Sequence, residues 1–153
     1  MLTNLSKEQT ALLIAAALFA VIAGAWIFEY AGYLPCELCL KQRWAYYAGI
    51  PFALFLGLAK PSWIKTGLVV LTLLLVANSI FGIYHSGVEW KWWPGPTTCT
   101  GGALAADGLP NLGEPGVMCD KPAIRIFGLS LAGWNAIICA VLANIAWRAS
   151  RKP

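Results

Sequence analysis

Residues 11–28, ALLIAAALFAVIAGAWIF, form the first of several long apolar stretches and carry no charged side chain. A helix of this length nearly crosses the roughly 30 Å of hydrocarbon in a bilayer. Three further apolar stretches follow at residues 44–59, 66–84 and 126–147. The second is the shortest, and extending it back to residue 42 lets Arg43 reach the interface. The sequence therefore predicts an all-α membrane protein, a bundle of four transmembrane helices at about residues 11–28, 42–59, 66–84 and 126–147.

The composition of the chain also indicates a membrane protein. Of its 153 residues, 59% are hydrophobic and 12% are charged, whereas globular proteins have about 25% charged residues. The net charge of +4 would suit nucleic acid, but the basic residues are scattered singly between apolar blocks and form no run. We therefore expect one integral membrane domain over residues 1–153 and no nucleic-acid partner.

A cleaved signal peptide is an alternative for the first apolar stretch. Ala23, Gly24 and Ala25 resemble the small-residue cleavage site of such a peptide. The segment before the stretch, however, offers only Lys7 beside Glu8. We therefore favour a retained transmembrane helix.

The charges between the apolar stretches predict the orientation in the membrane. One side carries six basic residues and a single acid: Lys7, Lys60, Lys65, Arg148, Arg151, Lys152 and Glu8. The other side mixes five basic residues with six acids: Lys41, Arg43, Lys91, Lys121, Arg125, Glu29, Glu37, Glu89, Asp107, Glu114 and Asp120. Because Lys and Arg are enriched in cytoplasmic loops, both termini are expected in the cytoplasm. One short outer loop and one long outer loop, residues 85–125, follow.

A Cys-x-x-Cys pair, Cys36 and Cys39, lies between the first two apolar stretches and is followed by Arg43. With Pro35 at the first helical position, both sulfurs lie in the first turn, where free N–H groups and the helix dipole favour a thiolate. Cys39 and Arg43 then share one helix face. The spacing leaves three uses open, which are redox chemistry, half of a zinc site and a structural pair.

The long outer segment supplies two further cysteines, Cys99 and Cys119, with nineteen residues between them. The Gly and Pro residues of this segment disfavour long helices and central strands. A disulfide between the two cysteines would be a structural staple, or it would be open to attack by an incoming thiolate. Because the outer compartment is oxidising, we expect the four outer cysteines to be paired.

Several residues in the apolar stretches have smaller candidate roles. His85 ends the third stretch and is either a satisfied interfacial residue or a proton carrier near the redox site. Ser130, Asn135 and Asn144 are typical of polar contacts between transmembrane helices. Cys139 is typical of a small buried hydrophobe.

Two outer dithiols that act as a relay need an electron acceptor. The chain has no haem motif, no Gly-rich nucleotide loop and no flavin signature, which leaves an acceptor dissolved in the bilayer, such as a quinone. Arg43 would stabilise the negative charge that develops on the quinone oxygens. Cys39, on the same helix face, is the sulfur best placed to react with the ring.

These features together resemble the disulfide bond formation protein B (DsbB) family. The resemblance rests on PCELCLKQR at residues 35–43, the four spans, the second cysteine pair in the outer loop, and the stretch from Cys119-Asp120 to GLSLAGWN at residues 128–135. It implies a protein-dithiol:quinone oxidoreductase of the bacterial inner membrane with a periplasmic active face, in the system that keeps the periplasm oxidising.

The resemblance also implies an order of thiol–disulfide exchange. A thioredoxin-fold partner of the DsbA type would attack Cys99, Cys119 would attack Cys36, and Cys39 would be left facing the quinone, either ubiquinone or menaquinone. Arg43 matches the quinone-site arginine of the family. We take His85 as a further candidate for quinone binding.

Two rival interpretations stay open. The vitamin K epoxide reductase family also uses a Cys-x-x-Cys pair in a small helical bundle, but its active pair usually follows the earlier cysteines. A structural or metal-binding membrane module would instead hold zinc with Cys36, Cys39, Cys99 and Cys119, although tetrahedral zinc usually takes its ligands in two close pairs. The enzyme interpretation makes these four cysteines catalytic and assigns no metal.

Overall fold

The computed structural model of the chain describes residues 5–96 and 118–153, and these are mainly α-helical. The four helices in these ranges are α1 Lys7–Tyr30, α2 Glu37–Ala59, α3 Ile64–Glu89 and α4 Leu131–Ser150. A short antiparallel ladder, β1 Arg125–Ile126 and β2 Leu129–Ser130, precedes α4. The helices agree with the predicted all-α class, and the ladder is a small addition to it.

Helix α2 begins directly after the first cysteine of the pair. Cys36 is its N-cap, with an extended backbone at φ −75° and ψ 171°, and Cys36 Sγ accepts a hydrogen bond from the Cys39 N–H at 3.3 Å. The prediction that Pro35 is the first helical residue is therefore wrong, because that residue is Glu37. A sulfur here takes the capping role that Ser or Asp oxygens commonly fill, so both sulfurs still lie at the helix N-terminus.

Helix α4 begins at Leu131, later than the apolar stretch that starts at residue 126. Residues 125–130 form the ladder instead, and Phe127 and Gly128 at its turn have φ of 52° and 81°. Two successive positive φ angles are typical of the type I′ turn that joins hairpin strands. Ser130 then caps α4 by accepting a backbone hydrogen bond at 3.2 Å. This residue therefore ends the hairpin and starts the helix, and its side chain also forms a hydrogen bond with Glu89 of α3.

Three of the described helices, α1, α3 and α4, are long and apolar enough to cross a membrane. Helix α2 has 23 residues, but Glu37, Lys41 and Arg43 lie in its first two turns. Its apolar part begins at Trp44. A fourth span formed by this part of α2 stays a prediction.

The helices pack around an apolar core, with the most extensive contacts between α3 and α4 and between α1 and α2. The core buries side chains from all four helices, among them Leu18, Ala53, Leu71 and Ala146. Gly82 of α3 allows α4 to approach closely, because a Cβ at this position would lie 3.0 Å from the Ala132 carbonyl oxygen.

The two ends of the bundle differ in character. At one end the start of α1 meets the carboxyl-terminal segment, because Lys7 Nζ donates a hydrogen bond to a Pro153 main-chain oxygen at 2.6 Å. Lys152 Nζ likewise donates to the Leu5 carbonyl at 2.7 Å. At the opposite end, the start of α2 lies beside the ends of α1 and α3, and the cysteine pair lies there.

Candidate redox site

The sulfurs of Cys36 and Cys39 lie 2.8 Å apart, and both residues are free thiols. Cys36 is buried and Cys39 is half-buried. The hydrogen bond from Cys36 lowers the pKa of Cys39, whereas the bond to Cys39 and burial raise the pKa of Cys36. Both residues precede the apolar part of α2. Cys39 is therefore the first of the two to ionise, and the remaining proton stays on Cys36.

His85 contacts the Cys36 side of this pair from the carboxyl-terminal end of α3. It is fully buried, and its Nε2 lies 3.5 Å from Cys36 Sγ. Its Nδ1 lies 3.1 Å from the Gln42 amide nitrogen. With this amide N–H donating to Nδ1, the ring proton is on Nε2 and faces the sulfur. The backbone of Cys119 also forms a hydrogen bond with the ring.

Cys119 reaches the same site from the outer segment. It is buried and disulfide-bonded. It packs in one apolar cluster with Cys36, Leu38 and Val88. Two cysteines that the resemblance places in successive exchange steps therefore share one buried cluster. Cys99, the remaining predicted cysteine, lies outside the described residues.

Arg43 lies one turn beyond Cys39 on α2, and its side chain is 11% exposed. Its Nη1 donates a hydrogen bond to Glu29 Oε2 of α1 at 2.6 Å. Its Nε is buried and has no hydrogen-bond partner in the described part of the chain. A buried donor normally has a partner, so the Arg43 Nε–H is a group to which a ligand acceptor would bind.

A cavity of about 320 Å³ opens beside Cys39 and Arg43, between α1, α2 and α4. Its walls are largely apolar, and its polar members include Cys39, Gln42, Arg43, Tyr46 and Asn135. His85 is not among the lining residues. Cys39 and Arg43 thus lie at one cavity, which agrees with their expected position on one helix face, and His85 lies against Cys36.

A buried polar cluster lies at the wall of this cavity and joins three helices. The Tyr46 hydroxyl of α2 donates a hydrogen bond to Asn135 Oδ1 of α4. Asn78 of α3 donates to the same oxygen at 3.2 Å and to Cys139 Sγ at 3.4 Å. Asn135 therefore makes the interhelical contacts predicted for it. Asn144 does not, because its described hydrogen bond is to Arg148 of the same helix.

Three residues of the site were missed by the sequence analysis: Glu29, Gln42 and Glu89. Glu29 directly follows the first apolar stretch, and an acid in that position is expected to have a cation nearby, so a signal was present. Gln42 and Glu89 gave no such signal in the sequence. The Gln42 contact with His85 depends on how α2 and α3 lie against each other, and the Glu89 contact depends on which way the His85 ring faces.

Membrane-length helices around a partly buried Cys-x-x-Cys pair, with a disulfide-bonded cysteine beside it, are typical of a membrane protein of thiol–disulfide exchange. Residues 7–149 match the family described as disulfide bond formation protein DsbB, and the chain belongs to that family. Membership of this family gives the chain a role as an oxidoreductase in disulfide bond formation.

Two relatives are similar to the chain over most of its length. A protein of Aromatoleum aromaticum named disulfide bond formation protein B is 29% identical over 142 residues, which cover 84% of this chain and 86% of the relative. An uncharacterized protein of Rickettsia prowazekii is 28% identical over 125 residues, which cover 76% of this chain and 72% of the relative. No solved structure matches the chain.

Proposed function

We propose that this protein is a protein-dithiol:quinone oxidoreductase of the bacterial inner membrane. It takes electrons at the periplasmic face from a reduced thioredoxin-fold partner of the DsbA type and passes them to a quinone in the bilayer. The observation that carries the proposal is the different surroundings of the two sulfurs. Cys36 is a member of the buried cluster with Cys119, whereas Cys39, which packs against that cluster from its edge, also lines the apolar cavity beside Arg43.

Electrons enter through the outer cysteine pair. We assign Cys99 as the disulfide partner of Cys119 and as the sulfur that a partner thiolate attacks. A bond between the partner and Cys99 forms, and Cys119 leaves as a thiolate. The second thiolate of the partner later displaces Cys99, so that the partner leaves oxidised.

The transfer between the two pairs takes place within the buried cluster. The Cys119 thiolate attacks Cys36 of the oxidised inner pair, a Cys36–Cys119 bond forms, and Cys39 leaves as a thiolate. The lowered pKa of Cys39 favours this choice of leaving group, because thiols of lower pKa leave faster. The His85 Nε2 proton faces Cys36 and orients the sulfur under attack. The Cys99 thiolate then displaces Cys36, which restores the outer disulfide and leaves the inner pair reduced.

The cavity beside Cys39 fits a quinone. The buried Nε–H of Arg43, which has no hydrogen-bond partner in residues 5–96 and 118–153, would bind a carbonyl oxygen. The apolar walls, with Phe28, Trp134 and Ile138 among them, suit a ring and a lipid-soluble tail. Ubiquinone and menaquinone share the dione head group that this donor would recognise.

The residues of the chain complete the cycle as follows. When bound, a quinone accepts two electrons and two protons and leaves as the quinol. Arg43 supplies the positive charge that favours negative charge on the acceptor oxygen. Cys39 presents its sulfur to the cavity, and Cys36 Sγ, 2.8 Å away, closes the disulfide with a small movement. Both sulfurs lose their protons, and the inner pair is oxidised again.

The test follows the absorbance of added quinone with time. An excess of reduced DsbA-type dithiol protein is added to the purified protein in detergent. Cys39→Ser is compared with Cys139→Ser, which changes a buried cysteine in the core between the helices. We expect catalytic quinone reduction by the wild type and Cys139→Ser and none by Cys39→Ser. No reduction of either ubiquinone or menaquinone by the wild type, or full activity of Cys39→Ser, would contradict the proposal.

A further inference from the structure

Three groups known as metal ligands converge at the start of α2. The sulfurs of Cys36 and Cys39 and a ring nitrogen of His85 all lie within 4.8 Å of one another. The distance between Cys36 Sγ and His85 Nε2 is 3.5 Å, which is about the ligand-to-ligand distance in tetrahedral zinc with Zn–S near 2.3 Å and Zn–N near 2.0 Å. The sulfurs, at 2.8 Å, need only move apart by a side-chain rotation.

A candidate for the fourth ligand, which lies outside this group of three, is on the same helix as His85. Glu89 is one turn further along α3, and its Oε1 lies 3.8 Å from His85 Nε2. Its side chain is 5% exposed and forms a hydrogen bond with the Ser130 side chain, but its Oε2 is buried with no hydrogen-bond partner among the residues that the structure describes. A buried carboxylate oxygen without a partner is costly. Coordination to a cation would remove that cost.

We propose that the reduced protein binds one zinc ion through Cys36, Cys39, His85 and Glu89, and that this ion holds the pair in the dithiol state. Zinc binds thiolates and an unprotonated imidazole nitrogen. When the ion enters, the two cysteines release their protons, the His85 ring proton moves from Nε2 to Nδ1, the Gln42 amide turns its oxygen toward Nδ1, and no electron moves. The Cys36–Cys39 disulfide and the zinc site use the same two sulfurs and exclude each other. Zinc in the periplasm would thus oppose oxidation of the inner pair.

This site differs from the four-cysteine zinc site considered from the sequence. Cys119 is disulfide-bonded, so its sulfur is not a thiolate ligand in this structure. The site proposed here needs neither Cys119 nor Cys99, and it takes a nitrogen and an oxygen in their place. Zinc binding itself does not depend on the proposed partner or quinone.

The test is a zinc titration of the purified full chain against a chromophoric chelator, in the reduced state and in the oxidised state. To remove the outer thiols from the count, the same titration is made with Cys99→Ser/Cys119→Ser. We expect one zinc per chain in both reduced proteins and none in the oxidised wild type. Cobalt in place of zinc should give the absorption of a tetrahedral, sulfur-ligated ion.

Single variants test the ligand set. Cys36→Ser and Cys39→Ser should each abolish stoichiometric binding, and Glu89→Gln should weaken it by a factor on the order of 10 to 100, the range for residues that support a metal site. Cys139→Ser, whose cysteine lies elsewhere in the bundle core, should bind as the wild type does. The proposal is wrong if the reduced wild type binds no zinc, if binding survives Cys36→Ser, or if Cys99→Ser/Cys119→Ser loses it.

Discussion

Arg43 of α2 forms an ion pair with Glu29 of α1, with 2.6 Å between Nη1 and Oε2. The pair ties the two helices together at the cavity that Cys39 lines. It engages one end of the guanidinium group and leaves the buried Nε–H without a described partner. Glu29 thus positions the Arg43 side chain, and the Arg43 Nε–H stays available to a ligand.

The Glu29→Gln variant tests this positioning role. Removing the carboxylate should raise the KM for quinone by roughly fivefold, since a partly exposed ion pair contributes about 1 kcal/mol. The rate of thiol exchange with the dithiol partner should stay unchanged. Steady-state kinetics with quinone varied and then partner varied separates the two effects. A variant that loses both equally would place Glu29 in the general stability of the bundle instead.

Arg43→His should weaken quinone use more than exchange with the partner. A hydrogen bond to a charged group contributes about 1.5–3 kcal/mol, so we expect kcat/KM for quinone to fall by a factor on the order of 10 to 100. The matched control is Lys41→His, because Lys41 lies on the same helix and also forms an ion pair, with Glu37, but is half-exposed. An equal loss of both activities in Arg43→His would remove Arg43 from the quinone site.

The acidity of Cys39 should depend on Cys36. The hydrogen bond from Cys36 is the first cause of the lowered pKa of Cys39, so Cys36→Ala should raise that pKa. In the reduced wild type, Cys39 should then be alkylated by iodoacetamide at a pH at which Cys39 in Cys36→Ala is still protonated. The measurement is alkylation rate against pH, with the modified residue identified by mass spectrometry. Identical profiles in both proteins would mean that the helix N-terminus sets the acidity.

Asn135 should contribute to the stability of the bundle. Its Oδ1 accepts hydrogen bonds from Tyr46 and Asn78, and Asn135→Ala would leave both donors without this acceptor inside the core. We expect a loss of about 1–2 kcal/mol in the free energy of unfolding, measured by denaturation in detergent. Asn144→Ala is the matched control, because the Asn144 side chain bonds only within α4 among its described contacts. Equal losses in both variants would argue against an interhelical role.

The features that depend on local sequence were predictable, and those that depend on helix contacts were not. Apolar length gave the four helices, and spacing placed Cys39 and Arg43 on one face of α2. The start of α2 was misplaced because Pro35 favours a first helical position, whereas the sulfur of Cys36 caps the helix. The start of α4 was misplaced because Phe127 and Gly128 form a turn within an apolar stretch.

The partners of His85 and Arg43 lie on different helices or on the neighbouring turn. Glu29 is 14 residues before Arg43, and Gln42 is 43 residues before His85. Such pairs depend on how each helix is rotated about its axis. In helices this apolar, neither the charged residues nor the hydrophobic periodicity of the sequence determines that rotation. For that reason the sequence offers His85 as a candidate for quinone binding but does not predict that its ring lies beside Cys36.

The central claim is that Cys36 exchanges with Cys119 while Cys39 faces the cavity. The most direct measurement is a disulfide map of two matched variants, Cys39→Ala and Cys36→Ala, each equilibrated in a thiol redox buffer, quenched with an alkylating agent, digested and analysed by mass spectrometry. We predict a Cys36–Cys119 bond in Cys39→Ala and no Cys39–Cys119 bond in Cys36→Ala. A Cys39–Cys119 bond of equal or greater yield would contradict the account.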